Sequence, residues 1–217
     1  MQVVENIQNN IISGGRCVLT TAYLPPVDYF IALANADEVL IEQWEFYQKQ
    51  SYRNRCTIAT ANGALALSIP VEKPSGNKTF IRDVRISEHG NWQLQHWRAL
   101  ESAYLSSPFF EFYADDLRPC FEKKYEFLFD FNTELLHRIC DLIEIQPIIN
   151  LTNEYRSHEA EVSDFRELIH PKKTVNIFPA RPYYQVFQSK FGFIPGLSIV
   201  DLLFNKGNES IFILKCL

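Results

Sequence analysis

A chain of 217 residues, 47% of them hydrophobic, has room for one domain whose core needs no disulfide or metal staple. Its net charge of −5 argues against a basic field that would attract nucleic acid or anionic lipid. The five cysteines, Cys17, Cys56, Cys120, Cys140 and Cys216, are scattered and show no CxxC spacing. They therefore exclude a zinc knuckle or redox motif and predict reduced, buried thiols in a cytoplasmic setting.

Met1–Arg16 carries Glu5 and no apolar core. It does not read as a secretion signal, and residues 1–15 are expected to be a flexible extension. No apolar run reaches the roughly 18 residues of a membrane-spanning helix. Val18–Thr21 is a short, β-branched strand. Pro25 and Pro26 then suit a helix start before the apolar run Tyr29–Ala34, which Asn35-Ala36-Asp37 ends. Val39–Ile41 is a second buried strand, which completes a β-α-β unit with parallel strands and a right-handed crossover. Arg55–Ala61 and Ala64–Val71 flank Asn62-Gly63, a hairpin signal. Phe80–Ile86 reads as a third strand. Helices follow over Trp92–Ser106, near Phe109–Tyr113 and over Tyr125–Ile143, where Phe127, Phe131, Leu135, Ile139 and Leu142 keep close to helical spacing. Ile148–Leu151 is a strand, and Tyr155–Thr174 reads as a polar, mobile loop. Tyr184–Phe191 and Ile199–Phe204 are helical, and Ile211–Leu214 is a helix or a strand. The class predicted is α/β: an N-terminal β-α-β unit with a mixed, mainly parallel sheet, a β-hairpin insertion and flanking helices, in one domain over residues 1–217.

In open α/β sheets ligands bind beyond the carboxyl ends of the parallel strands. Tyr23 follows the first strand there, and Glu42 and Gln43 follow the second, although a strand ending in polar loop residues would look the same. Tyr52-Arg53-Asn54-Arg55 offers two planar forks of donors, placed on one face if the stretch is extended. An anion site and an exposed polar turn both fit it. Lys73 opens the basic segment Lys73–Lys78, which reads as a loop closing over a phosphate or as a plain turn. On the helix after Asn91, Trp97, Glu101 and Tyr104 share a face. His96 beside them is the candidate general base, set against a packed, hydrogen-bonded core histidine. Ser198 and Asp201 form a capping box after the tight loop Gly192–Gly196, and a helix amino end favours an anion. His137–Asp141 matches an HxxxD string but sits in mid-helix, where chance explains it. No dinucleotide, P-loop or GxSxG motif is present, and His158, Glu159 and Glu161 do not close a metal ligand set. The cofactor is unknown, and no metal is expected.

Several of these segments resemble the WbqC-like protein family. They are Tyr23-Leu24-Pro25-Pro26-Val27-Asp28-Tyr29-Phe30, Asn35-Ala36-Asp37, Tyr52-Arg53-Asn54-Arg55, Ser68-Ile69-Pro70 and Gly196-Leu197-Ser198-Ile199-Val200-Asp201-Leu202. The chain departs from many relatives at Thr21-Ala22, where they have Gln-Pro, and at Leu151–Tyr155, where they have an Asn-Pro-Gly-Gly-like loop. The resemblance implies a bacterial protein, some of whose relatives are encoded among O-antigen biosynthesis genes. It implies transfer of an aminoacyl or acyl group, glycine among the candidates, to an amino sugar or sugar nucleotide. Glu42 or His96 would then deprotonate the acceptor amine, while Arg53, Arg55 and Lys73 hold phosphates. The alternative is a non-enzymatic binding protein for a polar anionic metabolite or a protein partner. The expected ligand is small and polar or a phosphorylated sugar, with no nucleic acid and no membrane insertion. The sharpest expectation is that Tyr23, Glu42, Arg53, Asn54 and Arg55 line one site.

Overall fold

A computed structural model describes residues 15–72, 78–157, 162–173 and 177–215. Strand β1 (Arg16–Thr20), helix α1 (Val27–Asn35) and strand β2 (Glu38–Glu42) form the β-α-β unit, with Arg16 opposite Glu38 and Thr20 opposite Glu42 in parallel register. Pro26 stands extended at the start of α1, and the helix buries Tyr29, Phe30, Ile31, Ala32 and Leu33. Alternation sets the two faces of the sheet. Cys17, Leu19, Val39 and Ile41 point into the core, whereas Arg16, Val18, Leu40 and Glu42 line a groove on the other side.

The hairpin β3 (Arg55–Thr60) and β4 (Gly63–Ser68) is antiparallel, and Gly63 takes the positive φ of +98° that its turn requires. Phe80–Ile86 is not a strand. Phe80 bridges Phe46, Arg85 bridges Phe127 and Ile86 bridges Val71, with a 3₁₀ turn over Ile81–Asp83. Each residue meets a different neighbour, so no continuous ladder forms. Helix α2 (Trp92–Tyr104) matches the periodicity. The short helix expected near Phe109 is instead α3 (Phe110–Glu122), which runs through Pro119 because Phe110, Tyr113, Leu117 and Phe121 make one buried stripe. Helix α4 (Leu128–Ile143) starts three residues after Tyr125.

Strand β5 (Ile149–Leu151) pairs with β2, and β6 (Val162–Asp164) pairs with β1, both parallel. β6 lies inside the stretch expected as an irregular loop. Of the helix expected over Tyr184–Phe191, only α5 (Gln188–Phe191) forms. Helix α6 (Ile199–Lys206) is capped by Ser198, and α7 (Ser210–Leu214) resolves the last element as a helix. The strand order β5-β2-β1-β6 places β2 and β5 on one side of β1 and β6 on the other. The order in which strands are added therefore reverses between β1 and β6, the position where α/β sheets open a crevice at their carboxyl edge. Cys17, Cys56, Cys120 and Cys140 are buried free thiols, and Cys216 lies outside the described residues. No helix among the described residues is long and apolar enough to cross a membrane.

Candidate functional site

Glu42, the last residue of β2, is fully buried. Its Oε1 accepts hydrogen bonds from the Trp44 amide at 2.7 Å and the Thr152 hydroxyl at 2.8 Å. Its Oε2 accepts from Arg166 Nη1 at 2.9 Å. Arg166 follows β6 and also clamps Asp164, with Nε to Oδ1 at 3.0 Å and Nη2 to Oδ2 at 2.7 Å. The Tyr155 ring lies 4.7 Å from its guanidinium. Gln43 Nε2 and Trp44 Nε1 both donate to the Thr152 carbonyl, at 2.7 and 2.9 Å. The loops after β2, β5 and β6 are thus sewn together at the carboxyl edge, with Glu42 at the centre. Three donors already occupy its oxygens, so Glu42 is a fixed acceptor at the centre of this edge rather than an open base.

The second buried pair is Glu45–Arg53. Arg53 Nε donates to Oε1 at 2.7 Å and Nη2 to Oε2 at 2.5 Å, a bidentate fork. Burial pushes the Glu45 carboxyl up, and the Arg53 guanidinium pulls against it. The Arg53 carbonyl accepts from Asn132 Nδ2 at 2.8 Å. Arg55 is separate: its Nε donates to Ser68 Oγ at 3.0 Å across the hairpin. The expected shared face of Arg53 and Arg55 does not form, because the chain turns at Tyr52–Asn54 before β3 begins. Asn54 ties that turn to Ile69 by its side-chain amide, at 2.8 Å.

Outside this cluster opens a cleft of about 850 Å³ walled by Trp44, Phe46, Tyr47, Phe80, Tyr155 and Leu168, with Arg166 and Asp164 in its lining. Phe46 stacks on Phe80 at 4.9 Å between centroids, and Phe46 is 42% exposed. Lys78 sits 5.0 Å from the Phe46 ring and Arg82 sits 3.7 Å from the Trp44 ring. Leu168 also lines a second cavity of about 390 Å³ at the amino end of α1, where Asp28, Tyr52, Thr57 and His170 meet apolar walls. Burial raises the Asp28 carboxyl to about 6.

The other expected site residues lie elsewhere. Tyr23 is wholly buried, and its hydroxyl meets His96 Nδ1 at 2.8 Å. His96 packs between the rings of Tyr23 and Trp92, and burial lowers its pKa to about 4. Trp97 is a core residue against Phe110 and Phe121 whose Nε1 donates to Glu101 at 2.8 Å. Ser198 caps α6. Asp201, also fully buried, accepts from Tyr104 at 3.0 Å, Tyr183 at 2.8 Å and Gln185 at 3.1 Å. Lys73 lies outside the described residues. Among the described residues no group of three or more His, Cys, Asp or Glu is placed to hold a metal ion.

Sequence reasoning missed Asp28, Arg166 and the aromatic wall. Asp28 looks like the acid that ordinarily favours a helix start. Arg166 falls in a stretch whose polarity hid a three-residue strand. The wall combines Trp44 and Phe46 with Phe80 and Tyr155, which only the tertiary fold brings together.

The model of the WbqC-like protein family matches residues 21–186, which include both cavities' central residues. An uncharacterized protein of Mycobacterium tuberculosis, Rv1507c, is 29% identical over 218 residues, covering 89% of this chain and 94% of that protein. No solved structure matches.

Proposed function

The chain belongs to the WbqC-like protein family, and from that premise we propose that it transfers an aminoacyl or acyl group to an amino sugar or sugar nucleotide for cell-surface polysaccharide. The observation that carries this reading is the aromatic-walled cleft at the reversal of strand order. A sugar presents an apolar face of C–H groups, which stacks on rings such as Phe46 or Tyr155. Lys78 and Arg82, held against Phe46 and Trp44, supply charge for a diphosphate. Arg166, which lines the cleft, is held in place by Glu42 and Asp164.

Isothermal titration with nucleotide sugars and acyl donors tests the proposal. Saturable binding of a nucleotide sugar is expected, weakened by about tenfold in Phe46→Ala through the lost stacking. Failure of every phosphorylated ligand to bind overturns it. The second reading, a non-enzymatic binding protein, is favoured by the closed hydrogen bonding of Glu42 and the burial of His96, which leave neither free to move a proton. Binding without product across paired donors and acceptors, followed by mass spectrometry, would select that reading.

A further inference from the structure

The cavity at the amino end of α1 is not used by the cleft just described. Its walls are apolar at Ile31, Ile177, Phe178 and Phe193. Among its lining residues are three that carry side-chain oxygens, from three segments: Asp28 of α1, Tyr52 from the β2–β3 connection and Thr57 of β3. None of the three side chains has a hydrogen-bond partner among the described residues.

The cations lining the same cavity do not serve Asp28. Lys173 Nζ donates to the Glu167 carbonyl at 2.5 Å, and Arg181 Nη1 donates to the carbonyls of Phe212 at 3.3 Å and Lys215 at 2.6 Å. A half-buried carboxylate with neither counter-charge nor donor among the described residues is costly, and the sequence could have filled the position with an amide or an apolar residue. We propose that this cavity is a recognition site for a primary ammonium group, with Asp28 as the carboxylate that receives it and Tyr52 and Thr57 as its further acceptors.

An ammonium carries three donors and no acceptor, and the side chains of Asp28, Tyr52 and Thr57 can each accept a hydrogen bond. The apolar walls take the ligand's carbon skeleton. The proposal stands apart from the transfer reaction above: it concerns amines as a class and a different cavity.

Its pH dependence follows from the groups that face Asp28. These are Tyr52, His170, Lys173, Arg181 and Tyr183. Burial raises Asp28 to about 6, holds Tyr52 and Tyr183 above their ordinary values and lowers His170; as pH falls, Asp28 loses its charge and His170 gains one, and both changes oppose an ammonium. Amine binding should be full above pH 7 and fall by about tenfold for each unit below 6.

The test is a titration of the full chain, read by nuclear magnetic resonance, with n-butylamine and glucosamine set against their N-acetyl derivatives. The amines are expected to bind saturably at pH 7.5, and the N-acetyl compounds about tenfold or more weaker, because they lack the charged donor. Asp28→Asn should abolish the preference while melting no lower than the wild type at pH 7.5, where it relieves the cost of the buried charge, and nucleotide-sugar binding should be unchanged in it. Thr57→Val, which removes one acceptor, serves as the second variant if Asp28→Asn does not fold, and should weaken the amines alone. No binding by either amine, equal binding of amine and acetamide, or full binding by Asp28→Asn overturns the site. Loss of nucleotide-sugar binding by the wild type, with amine binding intact, would count against the transferase reading and leave this site standing.

Discussion

Arg53 is 2% exposed and spends its guanidinium on Glu45, itself 6% exposed. Removing one partner of such a pair leaves the other charge buried and unpaired. Arg53→Ala should therefore lower stability by about 3–5 kcal/mol in urea unfolding, whereas Arg55→Ala, whose bond to Ser68 is exposed, should change it by ~0.5 kcal/mol or less. Equal, small effects of both would show that the Glu45 fork does not tie the fold. His96 adds a pH dependence. Its pKa falls from an ordinary 6.5 to about 4 in the folded chain, so the neutral ring contributes stability that is full above pH 6.5 and lost as pH falls through 4. The size is on the order of 3 kcal/mol. His96→Gln should flatten the stability profile between those limits, which urea melts at several pH values would register. Asp28 and Asp201 act with the opposite sign: burial raises both to about 6, so the stability they contribute is present below their ordinary 3.8 and lost as pH rises through 6.

At the scale of elements, α6 ends where Gly207 takes a positive φ of +56° directly under the Phe109 ring. A Cβ added there would meet the ring at 2.9 Å. Phe109 also donates its amide to the Phe204 carbonyl at 3.0 Å, so the ring is held from its own backbone and cannot swing clear without cost. Gly207→Ala should destabilise by about 1–3 kcal/mol through overpacking and strain. A melting temperature equal to wild type would mean that the α3 start yields freely. Gly63, with nothing within 4 Å of an added Cβ, separates the two causes: Gly63→Ala should show the conformational part alone, about 1 kcal/mol. Elements with strong local patterns were legible in the sequence. The hairpin followed from Asn62-Gly63, α2 and α4 from their apolar spacing, and α1 from Pro26 and the run after it. β6 was not legible, because three residues, Val162-Ser163-Asp164, carry no period and gain strand geometry only by pairing with β1.

For the whole molecule, the burial of Cys17, Cys56, Cys120 and Cys140 raises their thiol pKa values, to about 12 for Cys17 and Cys140, so these four resist modification in the folded state. Titration with a thiol reagent under non-reducing conditions should count five thiols after denaturation, one for each cysteine of the chain, and at most one before it. Fewer than five would reveal a disulfide and remove the reducing-compartment expectation.

The sequence by itself determined the α/β class, the β-α-β unit, the hairpin and the family, because these rest on local periodicity, turn chemistry and residue strings that stay near one another in the chain. It also placed the polar edge rightly at Glu42 and Gln43, since a strand's carboxyl end is known once the strand is. Tertiary structure alone decided what those groups face. Glu42 meets Arg166 across 124 positions and Thr152 across 110, and Tyr23 meets His96 across 73. Which partner a charge finds depends on strand order, and strand order is set by how the apolar faces of distant elements pack together. That is why Arg53, read as a ligand-facing cation, lies in the core with Glu45, while Asp28, given no role by the sequence, lines a cavity without a partner among the described residues.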